Sequence, residues 1–219
     1  VNDGPIRILI VDDHALVRDA LSECLQKEPD LAVVGTAGTA EEALDRVRQC
    51  NPQIILMDID MPGLICFDAA REITSLQPDV RIVFLSAFLN DWYIEQALRV
   101  RARGYLTKHE PPERIAAAIR EVSAGGACFS PPVRSRIVVD SEGAKLGETA
   151  KSRTSTLTTR EVEVLRYIAR GLAKKQIASL LHISVKTVDK HSVNLMTKLD
   201  IHDRVELARF AIREGLAEA

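Results

Sequence analysis

The sequence predicts two folds in one chain: a (βα)5 doubly wound parallel sheet over residues 5–126 and an all-α domain of four short helices over residues 153–219. Three observations carry this. Short β-branched runs alternate with helix-periodic stretches in the first half, the pattern of βα units on a parallel sheet. The closing stretch is helical in its periodicity to the end. The formal net charge of −2 is also uneven, with −7 over residues 1–126, +1 over 127–152 and +4 over 153–219. An acidic front and a basic back read as two domains with different partners.

Five strands are expected, at Ile6–Val11, Leu31–Thr36, Gln53–Met57, Arg81–Ser86 and Gly104–Thr107. The third and fourth are apolar at successive positions, as strands covered on both faces are. Between the first two, Leu16, Val17, Ala20, Leu21, Cys24 and Leu25 form one apolar stripe with a period near four. Thr39 followed by Glu42 is a capping-box pattern that starts the second helix. Pro111 and Pro112 suit the first turn of a fifth helix reaching about Ser123, and Gly125-Gly126 ends it. From Ala127 the periodicity dissolves. Pro131-Pro132, a short Ile137-Val138-Val139 run and aperiodic polar residues mark 127–152 as an interdomain linker, flexible in part. Beyond it, helices are expected at Thr159–Arg170, Lys174–Leu181, Ser184–Leu199 and Asp203–Glu214, the last opening on a capping-box-like Asp203 and Glu206.

Composition narrows the function classes. With 46% of 219 residues hydrophobic, the chain has material for one large or two ordinary cores and reads as a soluble globular protein. Cys24, Cys50, Cys66 and Cys128 are far apart, with neither a CxxC pair nor a Cys/His cluster, so buried free thiols are expected rather than disulfides or zinc. Apolar runs such as Ile54 to Met57 are too short to cross a bilayer. No signal-like segment opens the chain, and a cytoplasmic location is expected.

In an open parallel sheet, ligands bind outside the carboxyl ends of the strands. Here the first strand ends in Asp12-Asp13, the third in Asp58, the fourth in Ser86 and the fifth in Lys108. Crowded carboxylates repel and need a cation, and oxygen ligands from few protein groups suit Mg2+ retaining several waters. A lysine and a hydroxyl beside such a site are what a transferred phosphoryl group needs, with Asp58, at the end of a central strand, as nucleophile.

Residues 5–126 resemble a bacterial response-regulator receiver domain, through Val11-Asp12-Asp13-His14, Met57-Asp58-Ile59-Asp60-Met61-Pro62-Gly63, Leu85-Ser86-Ala87 and Gly104-Tyr105-Leu106-Thr107-Lys108. The resemblance implies a flavodoxin-like receiver whose Asp58 accepts a phosphoryl group from a sensor histidine kinase. It implies Mg2+ held by Asp13, Asp58, the backbone carbonyl of Asp60 and, through water, Asp12. It assigns Ser86 and Tyr105 to a switch that turns inward when phosphate is present. One departure stands out: where the family usually carries Asp-Gly before the third helix, this chain has Ile65-Cys66-Phe67. That puts the turn conformation in question, since Gly tolerates positive φ and Cys does not.

A rival reading takes Asp58-Ile59-Asp60 as the nucleophile motif of haloacid-dehalogenase-type phosphatases, which also use Ser/Thr, Lys and Mg2+. Against it, that nucleophile strand lies early in its family, and here Met61-Pro62 follows the second aspartate while the acidic pair precedes rather than follows. A third reading makes the front a partner-binding module that works without phosphorylation; the complete set of Asp12, Asp13, Asp58, Ser86 and Lys108 argues against it.

The basic end has its own signal. In the third of its helices Val188, Ser192, Leu195 and Leu199 recur at helical steps as a buried side, flanked by Val185 and Met196. The other side carries Lys186, Asp189, Lys190, Val193, Asn194 and Thr197. Lys and Asn can read base edges in a major groove, and a small apolar group can meet a thymine methyl. The preceding helix, a short turn through His182-Ile183 and a cap at Ser184 or its neighbour complete helix-turn-helix geometry.

Leu157-Thr158-Thr159-Arg160-Glu161-Val162-Glu163-Val164-Leu165, Ala169-Arg170-Gly171-Leu172, Lys175-Gln176-Ile177-Ala178, Ser184-Val185-Lys186-Thr187-Val188, His191 and Lys198-Leu199 resemble the LuxR-type DNA-binding domain. Lys190, Val193 and Asn194 are expected at base edges, and Lys186, Thr187, His191 and Lys198 at or near phosphates. Asp189 stands where the family often has a base; it is expected to accept from a cytosine amino group or to lower affinity. Val205, Ala208, Ala211 and Ile212 of the last helix are expected to complete the bundle, and the resemblance adds a dimer contact there. The whole resembles a NarL/FixJ-class two-component regulator, implying double-stranded promoter DNA and a sensor kinase as partners and a homodimer when phosphorylated or DNA-bound. No enzymatic turnover is expected beyond phosphorylation and dephosphorylation at Asp58.

Overall fold

Parallel pairing in the order β2-β1-β3-β4-β5-β6 makes one six-stranded sheet. Its strands are β1 (Ile6–Val11), β2 (Leu31–Ala37), β3 (Ile54–Asp58), β4 (Arg81–Ser86), β5 (Gly104–Thr107) and β6 (Cys128–Phe129). The helices between and after them are α1 (Ala15–Gln26), α2 (Ala40–Cys50), α3 (Cys66–Leu76), α4 (Asp91–Arg99), α5 (Pro112–Ser123) and the single turn α6 (Pro131–Arg134). The computed structural model describes residues 4–61, 66–87, 89–140, 143–147 and 153–217. The chain divides into two units, residues 1–87 with 96–135 and residues 88–95 with 136–219.

The five expected strands form within a residue or so of their predicted bounds. All five residues of β3 are buried, each fully buried Ile or Leu being worth about 1.5–3 kcal/mol. β2 carries an irregularity where its pairing with β1 shifts between Ile8 and Leu9. Helix starts follow local chemistry. Thr39 Oγ1 accepts from the Glu42 N–H at 3.1 Å, while Glu42 Oε2 reaches back to the Gly38 N–H at 2.8 Å. Pro112 opens α5, whose Ile115, Ala116, Ala118, Ile119 and Val122 are buried. The stripe expected on α1 is shallower than its periodicity suggests: Leu25 is buried, but Leu16 is 81% exposed.

Two departures from the sequence reading matter. The stretch read as linker carries regular structure among its described residues: β6 extends the sheet, α6 follows, and β7 (Ile137–Asp140) pairs antiparallel with β8 (Gly143–Leu146). Residues 141–142 and 148–152 of that stretch lie outside the described residues. A Cβ at Gly104 would meet the Cys128 carbonyl oxygen at 2.8 Å and Val83 Cγ1 at 2.9 Å, so glycine there lets β6 lie against β5. The second departure is Cys66, which begins α3, is buried and directs its thiol to the Ile59 carbonyl oxygen at 3.6 Å. A helical start removes the need for a positive φ at that position. Pro62, Gly63 and Ile65, part of the same expectation, lie outside the described residues.

The four C-terminal helices are α7 (Thr159–Ala169), α8 (Lys174–Leu180), α9 (Val185–Leu199) and α10 (Arg204–Arg213), preceded by a 3-10 turn at Arg153–Thr156. Thr158 and Glu161 form a reciprocal capping box at the start of α7. Ser184 caps α9, and Asp203 caps α10 by accepting from the N–H groups of Val205 and Glu206. His182 takes the left-handed conformation at φ 51°, turning the chain between α8 and α9. Val188, Ser192, Leu195 and Leu199 are the buried side of α9, as expected. In α10 the buried residues are Leu207, Phe210 and Ala211, whereas Val205 and Ile212 are 58% and 37% exposed. Periodicity alone could not tell that core side from the outward one.

Candidate functional site

Register assembles the first site. Val11 pairs with Met57, Asp58 with Leu85, and Ser86 with Thr107. In a parallel sheet this brings Asp12, Asp58, Ser86 and Lys108 out at one edge, where β1 and β3 run side by side at the reversal of strand order. Asp12, Asp58 and Ser86 are buried, with 1%, 0% and 0% of their surfaces exposed.

Lys108 joins the two buried carboxylates, its Nζ lying 2.6 Å from Asp12 Oδ2 and 3.0 Å from Asp58 Oδ2. Asp58 Oδ1 accepts from the Asp60 N–H at 3.1 Å, and Asp12 Oδ1 accepts from the His14 N–H at 2.9 Å. Burial pushes the Asp58 carboxyl up to about 6, against the pull of Lys108 and with the negative charges of Asp12 and Asp13 adding to it. For Lys108, burial pulls the ammonium down, but Asp58 and Asp12 together carry it above its ordinary value. Tyr105, in β5, is fully buried.

Asp12, Asp13, His14 and Asp58 each place one ligand atom within 4.8 Å of the others. Three oxygens in such a group are the donor set of a hard divalent cation. Asp13 Oδ1 is buried without a hydrogen bond of normal geometry, while Asp58 Oδ2, equally buried, meets the Lys108 ammonium at 3.0 Å.

Sequence reasoning passed over three residues here. His14 brings its Nδ1 to 2.8 Å from Asp13 Oδ1. Arg18 donates from Nη1 to the Asp12 carbonyl oxygen at 2.5 Å. Ser130 accepts from the Thr107 N–H at 3.0 Å. The first two lie within six residues of the acidic pair and could have been sought there; Ser130 carries no such local signal.

The second candidate surface is the outward side of α9. Lys186, Lys190, Val193 and Asn194 are exposed, and Val193 shows 60% of its surface. Thr187 and His191 are half-buried. The Thr187 hydroxyl shares a hydrogen bond with Ser184 Oγ at 2.8 Å and so belongs to the helix cap. Burial holds the His191 imidazole below its ordinary value, against the pull of Glu161. Lys198 is exposed but already engaged, with Nζ 2.7 Å from Glu161 Oε2 and 3.1 Å from the Thr156 carbonyl oxygen. Asp189 is ion-paired with Lys174 at the start of α8, a partner that no sequence pattern indicated.

A carboxylate edge with a bridging lysine on a doubly wound sheet, followed by a helix-turn-helix bundle, defines a regulator that couples a receiver to DNA binding. The chain belongs to the response regulators of the NarL/FixJ class: residues 8–120 match the family described as "Response regulator receiver domain" and residues 155–211 match "Bacterial regulatory proteins, luxR family". It is 34% identical to the uncharacterized transcriptional regulatory protein YxjL of Bacillus subtilis over 100% of both chains. It is 32% identical to the transcriptional regulatory protein DegU of Brevibacillus brevis, over 98% of this chain and 96% of the relative. Identity to the oxygen regulatory protein NreC of Staphylococcus carnosus is 34%, over 97% of this chain and 100% of the relative.

Among solved structures, a LuxR-family two-component response regulator from Aurantimonas sp. SI85-9A1 matches with a TM-score of 0.58 at 31% identity, covering 60% of this chain and 94% of that one. RcsB of Salmonella typhimurium shares the fold with a TM-score of 0.74 at 20% identity, covering 97% and 99%. The family consists of transcription regulators rather than enzymes, and the phosphatase reading of Asp58 and Asp60 gains nothing from these matches. No helix among the described residues is long and apolar enough to cross a membrane.

Proposed function

We propose that Asp58 is the phosphoacceptor of this regulator and that its phosphorylation, by a sensor histidine kinase, controls promoter binding through α9. The observation that carries this is Lys108, whose ammonium bridges the buried Asp12 and Asp58 carboxylates at one end of the sheet. An Asp58 oxygen attacks the phosphorus of a phosphohistidine, the P–N bond breaks, and the imidazole leaves with its electron pair and takes up a proton. Lys108 and the Ser86 hydroxyl then face the new phosphoryl oxygens, offsetting their charge.

Asp13, Asp58 and the Asp60 backbone carbonyl would hold Mg2+, with Asp12 acting through a water. When bound, the ion neutralises charge on the transferred phosphoryl group. Ser86 and the buried Tyr105 are the groups we assign to the switch, because phosphate at Asp58 must favour one of two arrangements for the signal to leave the pocket.

At the other end, Lys190, Val193 and Asn194 are assigned to base edges and Lys186 to phosphate, with Thr187, Asp189, His191 and Lys198 bordering them. RcsB is described as dimers bound to DNA, and a homodimer reading two half-sites is the assembly we assign here; the exposed Val205 and Ile212 of α10 supply an apolar face for it. A cytoplasmic location follows from these roles.

Acetyl phosphate with Mg2+ should label the wild type and not Asp58→Ala; equal labelling would overturn the assignment. Lys190→Ala should weaken promoter binding, and unchanged affinity together with an unchanged salt dependence would overturn the reading of α9.

A further inference from the structure

The acidic pocket holds one donor that is not an oxygen. His14 follows Asp12-Asp13 directly and serves as the N-cap of α1, yet its side chain makes no capping hydrogen bond. Its backbone N–H donates to Asp12 Oδ1 at 2.9 Å, and this local turn holds the imidazole beside the carboxylates. Nδ1 lies 2.8 Å from Asp13 Oδ1 and 3.3 Å from Asp12 Oδ1.

At that separation a hydrogen bond to Asp13 would be expected. Asp13 Oδ1 nevertheless stands buried without one of normal geometry. Two donor atoms in close approach but not aimed at one another have the arrangement of ligands that share a third atom. The four ligand atoms of Asp12, Asp13, His14 and Asp58 all fall within 4.8 Å of each other.

We infer that His14 Nδ1 is a ligand of the receiver's divalent cation and makes the pocket selective for Mn2+ and later first-row metals over Mg2+. The inference rests on the assignment of a cation to Asp12, Asp13 and Asp58. Mg2+ is a hard ion that prefers oxygen and water, so an imidazole adds little to its binding. Mn2+ and the ions after it accept imidazole nitrogen with rising affinity, so the same nitrogen favours them. His14 thereby becomes the residue that sets which metal accompanies phosphorylation. Its side chain is 65% exposed and free of capping duty, so it can be replaced with little disturbance to α1.

The test uses the full chain with Mn2+ as probe. Binding is followed by the loss of the free-ion electron paramagnetic resonance signal, Mg2+ affinity by competition, and ligation by nitrogen modulation of the electron spin echo. Wild-type protein should show imidazole modulation. His14→Ala should abolish it and weaken Mn2+ binding by about tenfold or more, while Mg2+ affinity changes by less than about twofold. His14→Asn, which places a favoured N-cap residue at the start of α1, should bind Mg2+ normally and show no imidazole modulation. Mn2+ bound without nitrogen modulation, or equal losses for Mn2+ and Mg2+ in His14→Ala, would overturn the inference while leaving the cation site standing. Mn2+ binding unaffected by Asp13→Ala would instead remove the cation site itself, and the role of His14 with it.

Discussion

The backbone N–H of Thr107 donates to Ser130 Oγ at 3.0 Å, tying the end of β5 to the residue that follows β6. Ser130 is fully buried, its own N–H donates to the Tyr105 carbonyl oxygen at 3.0 Å, and Thr107 is the residue before Lys108. The start of the supposed linker is thus hydrogen-bonded across the strand that carries Tyr105. Ser130→Ala should leave the Thr107 N–H without its acceptor and destabilise the receiver by about 1–3 kcal/mol. Denaturant unfolding of the variant, with an unchanged slope and a lower midpoint, is the check.

Asp58 should make the metal-free receiver less stable as pH rises. Its folded value of about 6 lies above the ordinary 3.8, so the native state holds a proton that the unfolded chain has released. Stability therefore falls between roughly pH 4 and pH 6 and stays low above. Asp58→Asn, which cannot ionise, should be more stable than wild type at pH 7 by about 2–3 kcal/mol, and the difference should vanish near pH 4. Parallel unfolding curves in a chelating buffer at both pH values decide it; equal stability at pH 7 would refute the strain assigned to the buried carboxylate.

The DNA-binding bundle should show the opposite dependence. Burial raises the Glu161 carboxyl, but hydrogen bonds from Lys198 and from Thr158 outweigh it and hold the group below its ordinary value. A depressed value contributes stability above about pH 4.5 that is lost as pH falls through the folded value. Glu161→Gln should cost about 1 kcal/mol at pH 7 and converge on wild type in acid. Thermal melts across that range would show it, and a cost that persists at low pH would exclude the ion pair as its source.

Asp189 places a negative charge on the face of α9 assigned to DNA, and Lys174 partly offsets it. Asp189→Ala releases Lys174 toward phosphates. Non-specific affinity should rise, with the slope of log affinity against log salt steeper by about one. Fluorescence anisotropy over a salt series measures both; a loss of affinity confined to sites with a cytosine at one position would show instead that Asp189 reads that base.

Local signals carried most of the elements. Thr39, Pro112, Ser184 and Asp203 each mark a helix start because capping acts over three or four residues. The apolar run of β3 and the Asp58 that ends it were legible for a related reason: a strand covered on both faces has no polar alternation, so its first polar residue shows where it emerges. The buried side of α9 was legible from its period alone, but that of α10 was not, because Val205 and Leu207 are equally apolar and only packing distinguishes them.

The sequence by itself therefore determined the two folds, the gathering of Asp12, Asp13, Asp58, Ser86 and Lys108 at one sheet edge, and the helix-turn-helix face. Tertiary structure alone decided that Lys108 bridges Asp12 and Asp58, that Lys198 turns to Glu161, that Lys174 meets Asp189, and that residues 128–129 extend the sheet beside Tyr105. The physical reason is range. Capping and periodicity act between residues a few positions apart, whereas these partners are 15 to 96 positions apart, and a charge has no sequence pattern that names its counterion.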